Sequence, residues 1–314
     1  MKLIRNVHNL QKYPYECVLT IGNFDGFHRG HQLIISNLKH EGRRLGLPVT
    51  VMLFEPQPQE YFSGKENAPV RLSCFREKVK YLTASGVDSI ICINFNEQFA
   101  MLDAQKFITD LLIKKLGVRF ISIGDDFRFG AKRQGDYILL KAMGKRAGFR
   151  VTNVATCTTK NGERISSTAI RKALVKDQLE KAENLLGHPY RLSGRVIYGD
   201  MIGKNIGFPT ANISLKGRRM PIHGVYAVKV HTFTSAPLLG VANIGVRPTV
   251  SSNKNQKLEV HLLDIDKNLY GQYLEVLIHA KLRNEKKFSS LEDLKNQIVL
   301  DIRNTRNFFK LNHF

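Results

Sequence analysis

Through about the first 185 residues the chain repeats one pattern: short runs of apolar residues alternate with amphipathic stretches of ten to fifteen. Runs that are apolar without alternation must be covered on both faces, and helices placed between them supply the cover, so the pattern demands a parallel sheet in an α/β layer. Strands are expected at VLTIG (18–22), PVTVMLF (48–54), DSIICINF (88–95), RFISIG (119–124) and RVTNVA (150–155). Helices are expected over His31–Leu45, Phe75–Ser85, Ala104–Leu116 and Tyr137–Ala147, with a loop in the Pro- and Gln-rich stretch after residue 54. In such sheets ligands bind beyond the carboxyl ends of the strands, and the most informative residues lie there.

Two short helices are expected next, Thr168–Val175 and Leu179–Leu185, with Gly187 as the C-cap of the second. After Pro189 the character changes. RLSGRVIY, GVYAVKVHTF, LLGVANIGV, KLEVHLLDI and QYLEVLIHAKL are rich in Val, Leu and Tyr and separated by Gly, Pro, Asn and Ser, which reads as an antiparallel barrel or sandwich. In KLEVHLLDI, Leu258, Val260 and Leu262 share one face, and Glu259 and His261 the other. A last helix is expected from the capping-box spacing of Ser289 and Glu292 and the apolar series Leu291, Leu294, Ile298, Ile302, Phe309. The boundary between the two architectures falls near Gly187, giving domains 1–186 and 187–314.

A chain of 314 residues is long enough for two such cores. No stretch approaches the roughly 18 apolar residues of a membrane span, and the N-terminus has no apolar leader core, so the expected compartment is the cytoplasm. Cys17, Cys74, Cys92 and Cys157 form no CxxC pair and fit no zinc module; reduced thiols are expected. The net charge of +21 is the one unusual bulk property. It suits nucleotides and pyrophosphate as well as nucleic acid. The basic residues are scattered, as at Lys114-Lys115, Lys132-Arg133 and Lys286-Lys287, and form no arm; a nucleic-acid partner is not expected.

The strongest local signal is IGNFDGFHRGHQ (21–32). A buried strand runs into Gly22, Gly26 and Gly30, and a helix begins near His31. The glycines allow close approach of the backbone to a ligand, and the helix N-terminus suits phosphate. His28 and His31 can donate hydrogen bonds to phosphate oxygens as charge builds in a transition state. A zinc site would need third and fourth ligands that the sequence does not show. The second signal, GRVIYGDMIGKNIGFPTAN (194–212), only superficially resembles a phosphate-binding P-loop: three residues separate its glycines and Asn205 stands where Ser or Thr would be required. Its glycines still describe a loop whose amides can cradle phosphate. Thr210 and Asn212 are oxygen donors suited to Mg2+, although PTAN alone could equally be a turn with an Asn cap.

IGNFDGFHRGHQ resembles the HxGH element of the nucleotidyltransferase superfamily, and in its fuller form that of the prokaryotic bifunctional riboflavin kinase/FAD synthetases. FEPQP (54–58), with Gln57 where His is usual, GDDFRFG (124–130) and ISSTAIR (165–171) follow in the family's order. The 194–212 segment resembles the riboflavin kinase element GxxxxGxxxGRxxGFPTAN, with Tyr198 for His and Lys204 for Arg; GVYAV, NIGVRPTV, LEVHLLD and LYGQYLEV continue the likeness. The resemblance covers essentially the whole chain. It implies a Rossmann-like α/β adenylyltransferase domain and a C-terminal antiparallel β-barrel kinase domain with a terminal helix. The implied chemistry is phosphorylation of riboflavin to FMN by ATP, then adenylyl transfer from ATP to FMN, giving FAD and pyrophosphate.

The same resemblance implies the site residues. His28 and His31 serve adenylyl transfer, with Gly22, Asn23, Phe24, Asp126, Arg128, Ser167, Thr168 and Arg171 binding ATP or FMN. Glu259 is the kinase's catalytic glutamate, with Gly199, Gly203, Lys204, Gly207, Pro209, Thr210 and Asn212 binding ATP or flavin. Mg2+ or another divalent cation is expected at Thr210 and Asn212. Taken singly, Ser-Ser-Thr is a good N-cap and Glu259 an exposed strand carboxylate. His261 is expected to be structural.

Overall fold

The computed structural model describes residues 1–5, 16–199, 203, 206–232, 236–246, 256–265 and 267–311. They form two compact units, Met1–Pro69 with Cys74–Ser167, and Val70–Ser73 with Thr168–Phe314.

The first unit is built on a six-stranded sheet in which every pairing is parallel. Its strands are β1 (Lys2–Arg5), β2 (Cys17–Ile21), β3 (Val49–Glu55), β4 (Ser89–Asn94), β5 (Val118–Gly124) and β6 (Arg150–Val154), in the order β1-β4-β3-β2-β5-β6. The five expected strands are all present. The edge strand β1 was not foreseen, because four half-polar residues carry no period. Helices cover both faces. On one, Ile35 and Leu38 of α1 (Arg29–Leu45) pack with Val18, Val51 and Ile90; on the other, Phe107, Leu112 and Leu140 pack with Leu19, Met52 and Ile121. Every side chain of β2 is buried, as its unbroken apolar run requires.

Two local expectations need correction. The Pro- and Gln-rich stretch is not a loop but α2 (Pro58–Asn67): Pro58 occupies the first turn and the Glu60 carboxylate accepts from Gln57 N–H at 3.0 Å, a start strong enough to override the composition. The segment 104–116 is not a plain α-helix. A short turn, α5 (Ala104–Lys106), passes into a π-helix over Phe107–Lys115, a wider winding that apolar periodicity does not reveal. α3 (Phe75–Ala84), the short α4 (Glu97–Ala100) and α6 (Tyr137–Ala147) complete this unit.

The second unit holds a closed barrel of β7 (Tyr190–Ile197), β8 (Ala211–Ser214), β9 (Gly224–His231), β10 (Leu238–Val246), β11 (Gln256–Leu262) and β12 (Tyr273–Arg283), ordered β10-β11-β8-β7-β12-β9. Its pairings are antiparallel. β8 is the strand the sequence hid: PTAN reads as a turn, yet Ala211 and Asn212 already belong to the ladder. Leu192, Val196, Ile213, Val228, Val230, Ala242, Ile244, Leu258, Val260 and Val276 are buried between the walls. α7 (Ser167–Val175) starts where the units part, and α8 (Leu179–Leu186) packs on β7 and β12. Gly187 closes α8 with φ 82°. Between the two helices, Asp177 accepts from Lys281 Nζ at 2.6 Å and lies 3.1 Å from the buried Tyr226 hydroxyl, tying this turn to the barrel. So although composition changes at Gly187, the helices before it pack with the barrel.

The terminal helix α9 (Leu291–Leu311) lies on β9, β10 and β12. Its start differs from the expected pairing of Ser289 with Glu292. The Ser290 hydroxyl accepts from Asp293 N–H at 3.1 Å, and Ser289 Oγ donates to the Asp293 carboxylate at 2.7 Å, so the cap sits one residue later. Farther along, Asp301 is 2% exposed and takes both prongs of Arg283, Nε at 3.0 Å and Nη2 at 2.8 Å, plus Gln297 Nε2 at 3.0 Å. Removing one partner of a buried ion pair strands the other charge at a cost of about 3–5 kcal/mol. Asp301→Ala is therefore expected to lower the chemical denaturation midpoint markedly, whereas Asp110→Ala, which breaks the exposed pair with Lys114 and a long 3.5 Å contact from Thr109 Oγ1, leaves it nearly unchanged. Equal, small effects would show that the Arg283–Asp301 clamp does not hold the helix.

Candidate active sites

The first site sits where the sheet reverses direction. From β2 the chain steps outward through β3 and β4, then returns so that β5 lies on the other side of β2. Crossovers diverge there and leave a crevice beyond the strand ends. Gly22–Gly30 leaves the end of β2, and Gly124–Gly130 leaves the end of β5, so both glycine-rich motifs border the crevice.

The turn after β2 is made by left-handed residues: Phe24 (φ 47°), Gly26 (φ 81°) and Phe27 (φ 43°). Glycine takes this conformation freely, whereas the two phenylalanines do so at a cost of about 1–3 kcal/mol each. Burial of both rings, 1% and 4% exposed, offsets it. His28 is then the N-cap of α1, its Nδ1 accepting from His31 N–H at 3.4 Å. The two imidazoles stack with centroids 3.6 Å apart, and the Phe24 ring lies 4.8 Å from His31. Gly30 makes the stack possible, for a Cβ there would press on the His28 ring at 3.2 Å. His31 Nδ1 and Asn23 Oδ1 are shielded from water and have no hydrogen-bond partner among the described residues. Buried polar atoms are rarely left so.

The remaining expected residues of this half are differently placed. Ser167 Oγ donates to Asp25 O at 2.9 Å, which ties the ISST segment to the β2 turn. Arg171 donates through Nε to the Val70 carbonyl. Thr168 is exposed. Asp126 is exposed and paired with Arg164 at 2.9 Å, and Arg128 is exposed, its Nη1 donating to the Phe127 carbonyl at 3.0 Å. Gln57, where the family has His, is buried at 5% with its Nε2 unpartnered among the described residues. Lys78 is a feature sequence reasoning missed: a lysine on α3, 2% exposed, that acts electrostatically on His31. Its position on a helix face otherwise apolar was the available signal.

The second site is a row across the barrel wall. Glu259 of β11 stands directly opposite Asn212 of β8, and Asn212 opposite Ile197 of β7. Glu259 is half-buried, on the face opposite Leu258 and Val260, with Lys257 Nζ 3.8 Å from its carboxylate. The Asn212 side chain lies over Gly199, where a Cβ would meet its Nδ2 at 2.3 Å. Gly203 is held by Phe208, whose N–H donates to Gly203 O at 2.8 Å; a Cβ on Gly203 would strike Phe208 O at 2.4 Å and approach Thr210 Cγ2 at 3.5 Å. Gly207 is left-handed at φ 88°. His261 Nδ1 lies 2.8 Å from Pro209 O, with its ring edge-on to Phe208. It thus anchors the strand leading into Thr210, a positional role. Gly199, Gly203, Pro209, Thr210, Asn212 and Glu259 are brought together; Lys204 lies outside the described residues. The region is compatible with a hard divalent cation, since it offers a hydroxyl and an amide oxygen beside a backbone cradle. No cluster of three His, Cys, Asp or Glu that could hold a metal by itself occurs among the described residues.

The electrostatics of the first site yield a pH test. Burial, and after it the neighbouring His28 and Lys78, hold the His31 imidazole well below its ordinary value, so it is neutral near pH 7. The unfolded chain binds this proton near pH 6.5 and the folded one resists it. The contribution of His31 to stability is therefore full above about pH 6.5 and is lost as pH falls from there toward the depressed folded value. His31→Gln is expected to flatten that acid decline in denaturation midpoints measured between about pH 7.5 and 5; an unchanged decline would mean that His31 protonates freely in the folded state.

Residues 10–169 match the FAD synthetase family model, and residues 186–309 the riboflavin kinase model. The bifunctional riboflavin kinase/FMN adenylyltransferase of Escherichia coli K12 is 54% identical, over 99% of this chain and 99% of that protein. The enzyme of the same name from Haemophilus influenzae is 51% identical, over 98% and 99%. Among solved structures, that of a macrolide-efflux protein from Streptococcus pneumoniae matches with a TM-score of 0.81 and 29% identity, covering 98% of this chain and 99% of that one. Among the described residues no helix is long and apolar enough to cross a membrane. The chain belongs to the bifunctional riboflavin kinase/FMN adenylyltransferase family and makes FMN from riboflavin and FAD from FMN.

Proposed function

We propose that the two reactions are divided between residues 1–186, which transfer adenylyl groups, and residues 187–314, which phosphorylate riboflavin, each at its own set of side chains. The observation that carries the kinase assignment is the register pairing of Glu259 with Asn212. It sets a carboxylate beside the neutral oxygens and glycine amides suited to a nucleotide. Glu259 takes the proton of the riboflavin hydroxyl as that oxygen attacks the γ-phosphorus of ATP, and ADP leaves. Amides around Gly199, Gly203 and Gly207, with Lys204, hold the phosphates. Thr210 and Asn212 are the residues that would hold Mg2+, which when bound neutralises phosphate charge.

For adenylyl transfer, an FMN phosphate oxygen attacks the α-phosphorus of ATP and pyrophosphate departs. Stacked His28 and His31, at the amino end of α1, supply hydrogen-bond donors where negative charge develops. A neutral His31 donates through one ring N–H. Gly22, Asn23 and Phe24 shape the turn around the nucleotide, and Asp126, Arg128, Ser167, Thr168 and Arg171 complete binding of ATP and FMN. Four unpaired cysteines accord with a cytoplasmic setting.

Separate sites can be disabled separately. Glu259→Gln is expected to slow FMN formation by on the order of 10²–10⁴-fold while FMN-to-FAD conversion persists. His28→Ala is expected to do the reverse. Chromatography of riboflavin, FMN and FAD over time, with ATP and Mg2+, reads both steps; loss of both from either single change in a folded protein would overturn the division.

A further inference from the structure

The row that pairs Asn212 with Glu259 does not stop there. On its other side Glu259 stands directly opposite Asn243 of β10, so Asn212, Glu259 and Asn243 form three polar positions in register across β8, β11 and β10. Residues directly opposite in an antiparallel pair share a face, with Cβ atoms about 4.5–5.5 Å apart. The alternation on β10 agrees, since Ala242 and Ile244 are fully buried inside the barrel while Asn243 is half-buried on the other face. Asn243 Oδ1 is shielded from water and has no hydrogen-bond partner among the described residues. The nearby charges are engaged elsewhere along the face. Lys257 is in register with Gly245 and has its Nζ 3.8 Å from Glu259, while the Glu285 carboxylate lies against Gly245, where a Cβ would meet its Oε1 at 2.1 Å. Among the described residues no donor reaches the Asn243 amide oxygen.

The row also has a direction. Asn212 leans over Gly199, toward the phosphate cradle. If Glu259 receives the proton of the reacting hydroxyl, the phosphoryl donor lies on the β8 side, and the rest of the acceptor must extend the other way, toward β10. Riboflavin carries its reacting hydroxyl at the end of a ribityl chain whose neighbouring carbons also bear hydroxyls. We propose that Asn243 is a specificity residue of the kinase site, its Oδ1 accepting a hydrogen bond from the 4′ or 3′ ribityl hydroxyl, the two nearest the one that is phosphorylated. This rests on the reading of Glu259 as the base. An acceptor so placed recognises a polyol, because an analogue lacking that hydroxyl leaves the buried oxygen unpaired.

The test compares kcat/KM of the full chain for riboflavin with that for 4′-deoxyriboflavin and 3′-deoxyriboflavin, in wild type, Asn243→Ala and Asn243→Asp, with a wild-type circular dichroism spectrum and cooperative thermal unfolding of both units confirming that each variant is folded. Wild type is expected to favour riboflavin over at least one analogue by on the order of tenfold or more. Asn243→Ala should bring that ratio to within about threefold, chiefly by raising KM for riboflavin. Asn243→Asp, which keeps an acceptor oxygen, should retain the preference even where kcat falls. An Asn243→Ala enzyme with the wild-type ratio, an Asp variant that loses it, or a wild type indifferent to both hydroxyls would overturn the proposal. If instead Glu259→Gln still made FMN at the wild-type rate, the reading of the site itself would fall, whatever the Asn243 variants did.

Discussion

Pairing of backbone amides with carbonyls along the strand ladders is the interaction on which both units depend. In the first unit the ladder is parallel throughout, so every connection must cross over the sheet and every strand must be buried on both faces. That constraint explains the apolar runs, and with the reversal at β2 it fixes where a crevice opens. In the second unit the ladder closes on itself. Closure requires β8, four residues long, and β8 in its place puts Asn212 opposite Glu259. In each unit the strand ladder sets where the residues of the candidate site stand.

Much of this was legible in the residues. The strands of the parallel sheet are unbroken apolar runs, and burial on two faces leaves no other composition. His28, Gly30 and His31 announced the helix start because spacing at an N-terminus is local information. Leu258, Val260 and Leu262 announced which face Glu259 would occupy. β8 stayed hidden because a four-residue strand beginning within PTAN has turn chemistry at one end and no room for alternation. The π-helix stayed hidden because its apolar residues are spaced much as in an α-helix. Across long separations the sequence is silent: nothing in it pairs Asn243 with Glu259 or draws Lys78 to His31, since those are matters of register and packing. The family resemblance supplied roles for Thr168, Arg171, Asp126 and Arg128 that their local surroundings do not.

The two sites illustrate different ways of preparing charge. At the β2 turn the protein places imidazoles where water is scarce, and the surrounding positive groups oppose a proton on His31. The donor there is poised by desolvation and by the left-handed turn, whose strain is offset by two buried phenyl rings. On the barrel the carboxylate is half-buried, with Lys257 Nζ 3.8 Å away. On the proposed reading, phosphate anions meet hydrogen-bond donors at the first site, and a hydroxyl proton meets an acceptor at the second.

Among the described residues the sheet of the first unit, unlike the barrel, ends in two edge strands, and β1 forms one of them. It is four residues long, with exposed Lys2 and Arg5 at its ends and the Arg5 guanidinium over the Phe75 ring. At the other edge, β6 opens with exposed Arg150. A strand seeking to extend this sheet from another molecule would meet a short, positively charged border, and the second molecule would bring the same border and the same net charge of +21. The basic character of the chain thus has a colloidal meaning apart from catalysis: it discourages molecules from joining edge to edge when they are crowded.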